Sequence, residues 1–164
     1  MIIERLNETH AILYRTLRLQ CLKENPEAFG SSFEEESKME LAFFEKRLSD
    51  PDNVTFGVFM NHKLLGILTL RTSQRIKTKH NGHLVAMYVD KDHRRKGIGK
   101  LLIKKVIDYA KNHGIINLFL TVTSTNKEAI KLYEHMGFEM YGIEKREIYY
   151  NHQYLDSYLM AYYL

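Results

Sequence analysis

The stretch HRRKGIGKLL, His93–Leu102, follows a predicted strand that ends at Val89 and opens a predicted helix. Four basic residues surround Gly97 and Gly99 in this stretch. The first main-chain amides of a helix have no partner inside the helix, and the helix dipole adds partial positive charge there. Glycine also lets another molecule approach the backbone closely. The combination predicts an anion-binding turn, because basic side chains at a helix N-terminus otherwise oppose the dipole. The alternative is a solvated basic helix start.

Two common phosphate-binding motifs do not fit this turn. A P-loop has four residues between its glycines and then Lys-Ser/Thr, but here Leu101 follows Lys100. The dinucleotide-binding fingerprint needs a third glycine where this chain has Leu102. The remaining pattern is Arg94-x-x-Gly97-x-Gly99, and its main-chain amides are predicted to wrap a pyrophosphate.

Upstream of the turn, HLVAMYV (His83–Val89) is typical of a central strand buried on both faces. The apolar segments VTFGVFM and LLGILTL flank the short turn NHK and predict an antiparallel hairpin. Three more elements are predicted towards the N-terminus: a strand over Ile2–Leu6, a helix from about 10 to 25 capped by Thr9, and a helix with capping-box signals at Ser31 and Ser32 that reaches about Ser49.

Downstream of the turn, the helix that begins near Gly97 is predicted to stop at Gly114. A buried strand (NLFLTV), a short helix from Asn126 to Gly137 and two closing strands joined at NHQ follow. The element order β, α, α, β, β, β, α, β, α, β, β predicts an α/β fold, of the α+β kind with a mixed sheet.

The length of 164 residues predicts one domain over residues 1–164. The net charge of +4 suits an anionic ligand but is too small to indicate nucleic acid by itself. We expect no signal peptide, no membrane span and no contact with a membrane, because no long apolar run occurs. The single cysteine, Cys21, falls in line with apolar residues at helical spacing, so we expect it to pack in the core of a cytoplasmic protein. No His/Cys cluster with ligand spacing is present, and we expect no metal.

The segment around Arg94-x-x-Gly97-x-Gly99, after a strand ending in MYV, resembles motif A of the GNAT superfamily of acyl-CoA-dependent N-acyltransferases. The later segment TSTNKEAIKLYEHMGFE (Thr123–Glu139) is similar to another part of that family, with Asn, Tyr and Gly-Phe at the expected places. The resemblance implies a GNAT-like fold, with a mostly antiparallel central sheet flanked by about four helices. It also implies direct transfer of an acetyl group from acetyl-CoA to a primary amine of a small molecule or of a peptide or protein.

For the cofactor, the resemblance implies that the backbone of the basic turn holds the pyrophosphate of coenzyme A. Met87, Tyr88 and Val89 would then lie beside the pantetheine arm, and an amide near the end of their strand would polarise the thioester carbonyl. The residues assigned to the pyrophosphate are Arg94, Arg95, Lys96, Gly97, Ile98, Gly99 and Lys100.

Asn126 and Tyr133 lie seven residues apart, about two helical turns, and therefore face the same side of a helix. Asn126 is predicted to hydrogen-bond the cofactor or to act as an N-cap, or both. The family match assigns Tyr133 to protonating the leaving thiolate, since a phenol with a pKa of about 10 suits a thiol with a pKa of about 8.5. The alternative for Tyr133 is core packing.

The general base and the acceptor are less defined. His83 is a candidate base because its ordinary pKa is suitable, and a surface histidine is the alternative. Glu34 and Glu35 would favour a cationic acceptor amine, although acids that complement the dipole at a helix N-terminus are the simpler explanation. The tyrosines near the C-terminus fit a strand, an acceptor pocket or the interface of a homodimer.

Two other functions fit parts of the sequence. A non-catalytic acyl-CoA sensor would share the fold, and Tyr133 argues against it. A basic nucleic-acid-binding module would use His93–Lys100 as a charged patch, but no aromatic residues interleave with the basic run. We therefore expect no nucleic-acid partner.

Overall fold

A seven-stranded mixed sheet forms the centre of the computed structural model, which describes residues 1–164. The strand order is β1-β2-β3-β4-β5-β7-β6, and β4–β5 is its one parallel pair, so the sheet is mostly antiparallel as predicted. The strands are β1 (Ile2–Arg5), β2 (Asn53–Met60), β3 (Lys63–Arg71), β4 (Asn81–Val89), β5 (Asn117–Thr123), β6 (Glu139–Tyr150) and β7 (Gln153–Tyr163).

Five α-helices accompany the sheet, one more than the sequence suggests. They are α1 (Ala11–Glu24), α2 (Phe33–Glu36), α3 (Leu41–Ser49), α4 (Ile98–Asn112) and α5 (Lys127–His135). None of these helices has the length and apolar character that crossing a membrane requires.

The two faces of the sheet carry separate apolar clusters. One cluster packs the apolar stripe of α4 against β2 and β3, as Leu102, Ile103 and Val106 show. The other packs α1 and α3 against the opposite face and includes Cys21. Burial raises the pKa of the Cys21 thiol to about 12, so the thiol stays protonated and unreactive at neutral pH. The expected packing of Cys21 in the core is confirmed.

The predicted burial of His83–Val89 on both faces is wrong. The strands buried on both faces are β2 and β3, whereas His83 is exposed and Val85, Ala86 and Met87 are only partly buried. The reason is that β4 pairs with β5 over Asn81–Leu84 alone. Ala86 then adopts a left-handed conformation with φ of 54°, and the register with β3 shifts there. The two parallel strands separate after Leu84, so beyond that residue the edge of β4 that faces β5 has no neighbouring strand.

Two helix predictions need correction. The helix expected from Ser32 to about Ser49 is two helices, α2 and α3. In one continuous helix Glu36 and Arg47 would lie about 16 Å apart, but the chain breaks between them and their side chains hydrogen-bond at 3.2 and 3.3 Å. Thr9 does not cap α1, because a 3₁₀ turn over Glu8–His10, itself capped by Asn7, precedes the helix, and His10 at the N-cap of α1 makes no side-chain capping bond.

Both predicted hairpin turns are confirmed. Asn61 and His62 have φ of 50° and 63°, and Asn151 and His152 have φ of 51° and 60°. Positive φ at both central residues matches the twist of a two-residue hairpin. The stops of α4 and α5 are also confirmed, since Gly114 and Gly137 adopt positive φ after them.

Candidate active site

The basic turn has an unusual backbone. Arg95 and Gly97 have φ of 62° and 82°, so two left-handed residues lie just before α4. None of the six main-chain amides from Arg95 through Lys100 donates to a protein acceptor, and the first helical bond is from Leu101 N to Gly97 O at 3.0 Å. A run of free amides at a helix N-terminus is a binding site for an anion such as a phosphate.

The side chain of Arg94 fixes this turn to the rest of the protein. Its Nε donates to the carbonyl oxygen of Val89 at 3.1 Å, and its terminal nitrogen donates to Oδ1 of Asn25 at 3.1 Å. The guanidinium also lies over the ring of Tyr88, 5.6 Å from the centroid. Arg94 therefore positions the turn, and its charge is largely engaged inside the protein.

A groove of about 530 Å³ runs from the basic turn along the free edge of β4 to α5. It brings together every predicted cofactor residue except one: Met87, Tyr88, Val89, Arg94, Arg95, Gly97, Ile98, Gly99, Lys100, Asn126 and Tyr133. The exception is Lys96, whose Nζ donates to the carbonyl oxygen of Asp92 at 3.3 Å. The ring of Tyr88 lies in the core under α1, and its hydroxyl donates to Glu24.

Two glycines keep the groove open. A Cβ at Gly97 would meet nothing within 4 Å of protein, so it would project into the open space beside the free amides. A Cβ at Gly99 would lie 2.8 Å from Leu132 and 3.2 Å from Met87, which are groove-lining side chains. Gly99 therefore lets the start of α4 lie close to Leu132 and Met87 on the other side of the groove, and Gly97 leaves the space beside the amides empty. These features fit the pyrophosphate and pantetheine arm of coenzyme A.

A second cavity, of about 710 Å³, lies beyond the groove. Most of its lining comes from β4, β5 and the segment after α1, and the other strands except β1 add further residues, as do α1, α3 and α5. The two spaces share six lining residues: Ala28, Phe29, Met87, Asn126, Ala129 and Tyr133. The groove and the cavity therefore meet where β4 and β5 separate. A molecule bound in the groove and a second molecule bound in the cavity would meet at this junction.

Tyr133 lies at the junction with only 6% of its surface exposed. Its ring packs edge-on against Phe138, with centroids 5.8 Å apart. Burial raises the pKa of Tyr133, so the phenol stays protonated through the neutral and mildly alkaline range. Asn126 caps α5 by accepting from the amide of Ala129 at 3.2 Å, and it lines the groove as well. Both alternatives weighed for Asn126 are therefore compatible with its position.

His83 and Glu147 are the candidate proton acceptors in the cavity. His83 is exposed on β4, with its ring 5.4 Å from that of Phe119. Although the residue is exposed, its ring is partly desolvated by the neighbouring side chains, and this partial burial, followed by the positive charge of Arg71, lowers the pKa of His83 below its ordinary value. Glu147 is the only carboxylate among the residues that line the cavity. Sequence reasoning did not find Glu147, because it lies in an irregular part of β6 beside Arg146, whose φ is 57°.

Glu34 and Glu35 do not reach the groove or the cavity. Both are exposed on α2. Glu35 completes a capping box by accepting from the amide of Ser32 at 3.1 Å and from its hydroxyl at 2.9 Å. The next residue, Glu36, is buried and faces Arg18 and Arg47 instead. The structure therefore assigns Glu35 to capping and Glu36 to packing, and leaves Glu34 on the surface.

The amino-acid sequence is similar to those of known acetyltransferases. The acetyltransferase (GNAT) family model matches residues 17–138. L-amino acid N-acetyltransferase AaaT from Escherichia coli is 29% identical over 120 residues, which make up 72% of this chain and 74% of that protein. The chain spans only 30% and 34% of the length of two other curated relatives.

Solved structures share the whole fold. A GNAT-family acetyltransferase from Streptococcus pneumoniae matches with a TM-score of 0.86 and 26% identity over 99% of both chains. The structure of yncA from Salmonella typhimurium with its cofactor acetyl-CoA matches with a TM-score of 0.84 at 18% identity, over 100% of this chain and 94% of that one. Together with a family model that covers most of the sequence, and with the separated strands and free amides of the groove, these matches show that the chain belongs to the GNAT family of acetyltransferases.

Proposed function

We propose that this protein is an N-acetyltransferase that moves the acetyl group of acetyl-CoA directly to a primary amine of a small molecule or peptide. The observation that carries the proposal is the run of six free amides, Arg95–Lys100, at one end of a groove that leads to Tyr133. The cavity on the far side of Tyr133 supplies room for an acceptor. Direct transfer fits this arrangement, because groove and cavity share a junction and Cys21, the only cysteine, is buried elsewhere.

Acetyl-CoA supplies an activated acetyl thioester. The amides of Arg95–Lys100 would bind its pyrophosphate, and the free edge of β4 over Val85–Val89 would pair with the amides of the pantetheine arm as an added strand does. A main-chain amide on this edge would also donate to the thioester carbonyl oxygen, which gains negative charge as the amine attacks.

In the reaction the amine nitrogen forms a bond to the acetyl carbon while the carbon–sulfur bond breaks. The electron pair of that bond leaves on the sulfur, and the Tyr133 hydroxyl gives it a proton. The nitrogen must lose a proton, and we assign its removal to His83. A thioester beside Val85, where the free edge of β4 begins, would lie about 7 Å along the strand from His83, two residues earlier on the same face. A bridging water would therefore carry the proton from the amine to His83.

Replacing Tyr133 with Phe tests the catalytic role. We expect kcat to fall about 100-fold, because a positioned general acid is worth at least that much, while acetyl-CoA affinity stays within about twofold. The measurement is steady-state acetylation of a panel of amines, paired with titration of acetyl-CoA. Tyr162→Phe is a matched control: Tyr162 packs on the same Phe138 ring, with centroids 5.5 Å apart, and lines neither groove nor cavity. Full turnover in Tyr133→Phe would disprove the acid role.

The two other candidate functions predict different results. A sensor would bind acetyl-CoA and acetylate no amine in the panel. A nucleic-acid module would need free basic side chains, yet Arg94 is held by Val89 and Asn25, and Nζ of Lys100 lies 3.0 Å from Nε2 of His135. These contacts favour the small-molecule function.

A further inference from the structure

The charged residues that line the cavity are mostly arginines. Arg18, Arg47 and Arg71 contribute three positive charges, and Glu147 contributes one negative charge. This distribution is opposite to the acidic surface that Glu34 and Glu35 led us to expect around the acceptor. An acceptor that enters this cavity meets guanidinium groups.

Arg18 is the most buried of the three, with 5% of its surface exposed. Its Nε and Nη2 donate to the two carboxylate oxygens of Glu36, both at 3.1 Å. Its guanidinium also lies 5.3 Å from the centroid of the Phe29 ring. The remaining nitrogen, Nη1, is buried and has no hydrogen-bond partner. Arg18 is therefore held in place with one donor unused.

The charge of Arg18 is only partly compensated. Glu36 is shared, because Arg47 also donates to both of its oxygens, at 3.3 and 3.2 Å. Two guanidiniums facing one carboxylate leave one positive charge in excess. Burying an unpaired charge is costly, so a second anion at this place would be bound favourably. A hydrogen bond from an arginine to an anion is also stronger than one between neutral groups.

A second unused donor lies on the same cavity. The hydroxyl oxygen of Ser157, on β7, is buried and has no partner, and Ser157 is 1% exposed. Buried polar atoms are nearly always hydrogen-bonded in native proteins. Three buried side-chain atoms of the protein have no partner: Arg15 Nε, Arg18 Nη1 and Ser157 Oγ. The last two belong to residues that line the acceptor cavity.

We propose that the acceptor is an amine that also carries a carboxylate, and that Arg18 and Ser157 bind this carboxylate. The proposal rests on the proposed acetyl transfer and names the substrate class for it. The carboxylate accepts from Arg18 Nη1 and from the Ser157 hydroxyl, while the amine end of the same molecule reaches the junction at Tyr133. A single free guanidinium nitrogen with one hydroxyl suits a carboxylate rather than a dianionic phosphate.

The first test compares matched acceptors with the wild-type protein. L-amino acids are assayed beside their methyl esters and the corresponding decarboxylated amines, with O-phosphoethanolamine as a phosphate-bearing amine. We expect kcat/KM for the best amino acid to exceed that of its ester and its decarboxylated amine by at least about tenfold. Equal or faster acetylation of the uncharged analogues, or of O-phosphoethanolamine, would overturn the proposal while leaving acetyl transfer intact. Acetyl-CoA binding with no acetylation of any amine would count against the proposed function itself.

The second test changes the two donors. Arg18→Lys should raise KM for the amino acid about 10- to 100-fold, and Ser157→Ala should raise it about 3- to 10-fold. Their kcat/KM for the decarboxylated amine should change less than twofold. Arg15→Lys is the control for Arg18, because Arg15 lies one turn earlier on α1 and lines neither space. Ser157→Ala keeps the test decisive if Arg18→Lys does not fold. An unchanged KM in Ser157→Ala, or an equal loss with both acceptors, would contradict the assignment.

Discussion

His83 is the residue whose proposed role depends most directly on its ionisation. Burial and the charge of Arg71 lower its pKa below the ordinary 6.5, so the imidazole is neutral at pH 7 and able to accept a proton. Activity should therefore rise with pH along an acid limb that lies below pH 6.5, and His83 should contribute no further change above it.

The measurement is the pH dependence of kcat for wild type and His83→Gln. We expect kcat of the variant to fall about 100-fold and the acid limb to disappear. The acceptor amine titrates identically with both proteins, so the difference between the profiles isolates His83. His80→Gln is the control, since His80 lies three residues earlier and lines neither space. An unchanged profile in His83→Gln would transfer the role to another group, with Glu147 the first to test.

At the residue scale, sequence reasoning found the groups that are close together along the chain. The spacing of Asn126 and Tyr133 correctly predicted that the N-cap residue of α5 and a residue within the helix face the same groove, because that relation is set largely by helix geometry. The side-chain contacts of Arg94 with Asn25 and of Arg18 with Glu36 were not predictable, since their partners come together only in the folded chain.

The break between α2 and α3 depends on the buried pairing of Glu36 with Arg18 and Arg47. Burial alone would raise the pKa of Glu36, but the hydrogen bonds and charges of the two arginines outweigh burial and hold the pKa below its ordinary 4.5. A carboxyl whose pKa is lowered in the folded state contributes stability above its unfolded pKa and loses it as pH falls through the folded value.

Glu36→Gln should therefore destabilise the protein by about 3 kcal/mol at pH 7, because it leaves the buried guanidinium of Arg18 and the half-buried one of Arg47 without their carboxylate. The difference from wild type should shrink as the pH falls below 4.5. Urea denaturation at pH 7 and pH 3 measures both effects. Glu34→Gln, an exposed acid in the same turn, should match wild type within about 0.5 kcal/mol. An equal loss at both pH values would show that the ionised pair does not hold this segment.

At the element scale, periodicity predicted strands and long helices well and the first third of the chain poorly. The hairpin turns and the stops of α4 and α5 follow from local backbone chemistry, namely Asn-His pairs and glycines at positive φ. The interruption after α2 follows from a tertiary ion pair instead, and local capping signals at Ser32 could not reveal it. The separation of β4 from β5 likewise depends on a bulge at Ala86 that no turn residue marks.

For the whole molecule, the element order was enough to predict a mixed sheet, because hairpins and crossovers constrain strand pairing. The mostly antiparallel character of the sheet was implied by the family resemblance. The basic turn and the Thr123–Glu139 segment then indicated the family and one wall of the groove. The cavity was not predictable, because its lining comes from three helices, six strands and the segment around Phe29, which meet only in three dimensions. Its arginine-rich wall also reverses the expected charge of the acceptor site.

Binding of coenzyme A by the basic turn is tested most directly by calorimetric titration with acetyl-CoA at two salt concentrations. The wild-type protein should bind one equivalent saturably, and Gly97→Ala should weaken binding at least about tenfold, because its new Cβ enters the space beside the free amides.

Gly114→Ala is the matched control, since Gly114 has φ of 70°, equally open surroundings and lies at the other end of α4. It should carry a similar backbone strain and keep the affinity within about twofold. No saturable binding at either salt concentration, or wild-type affinity in Gly97→Ala, would contradict the assignment of the basic turn to coenzyme A.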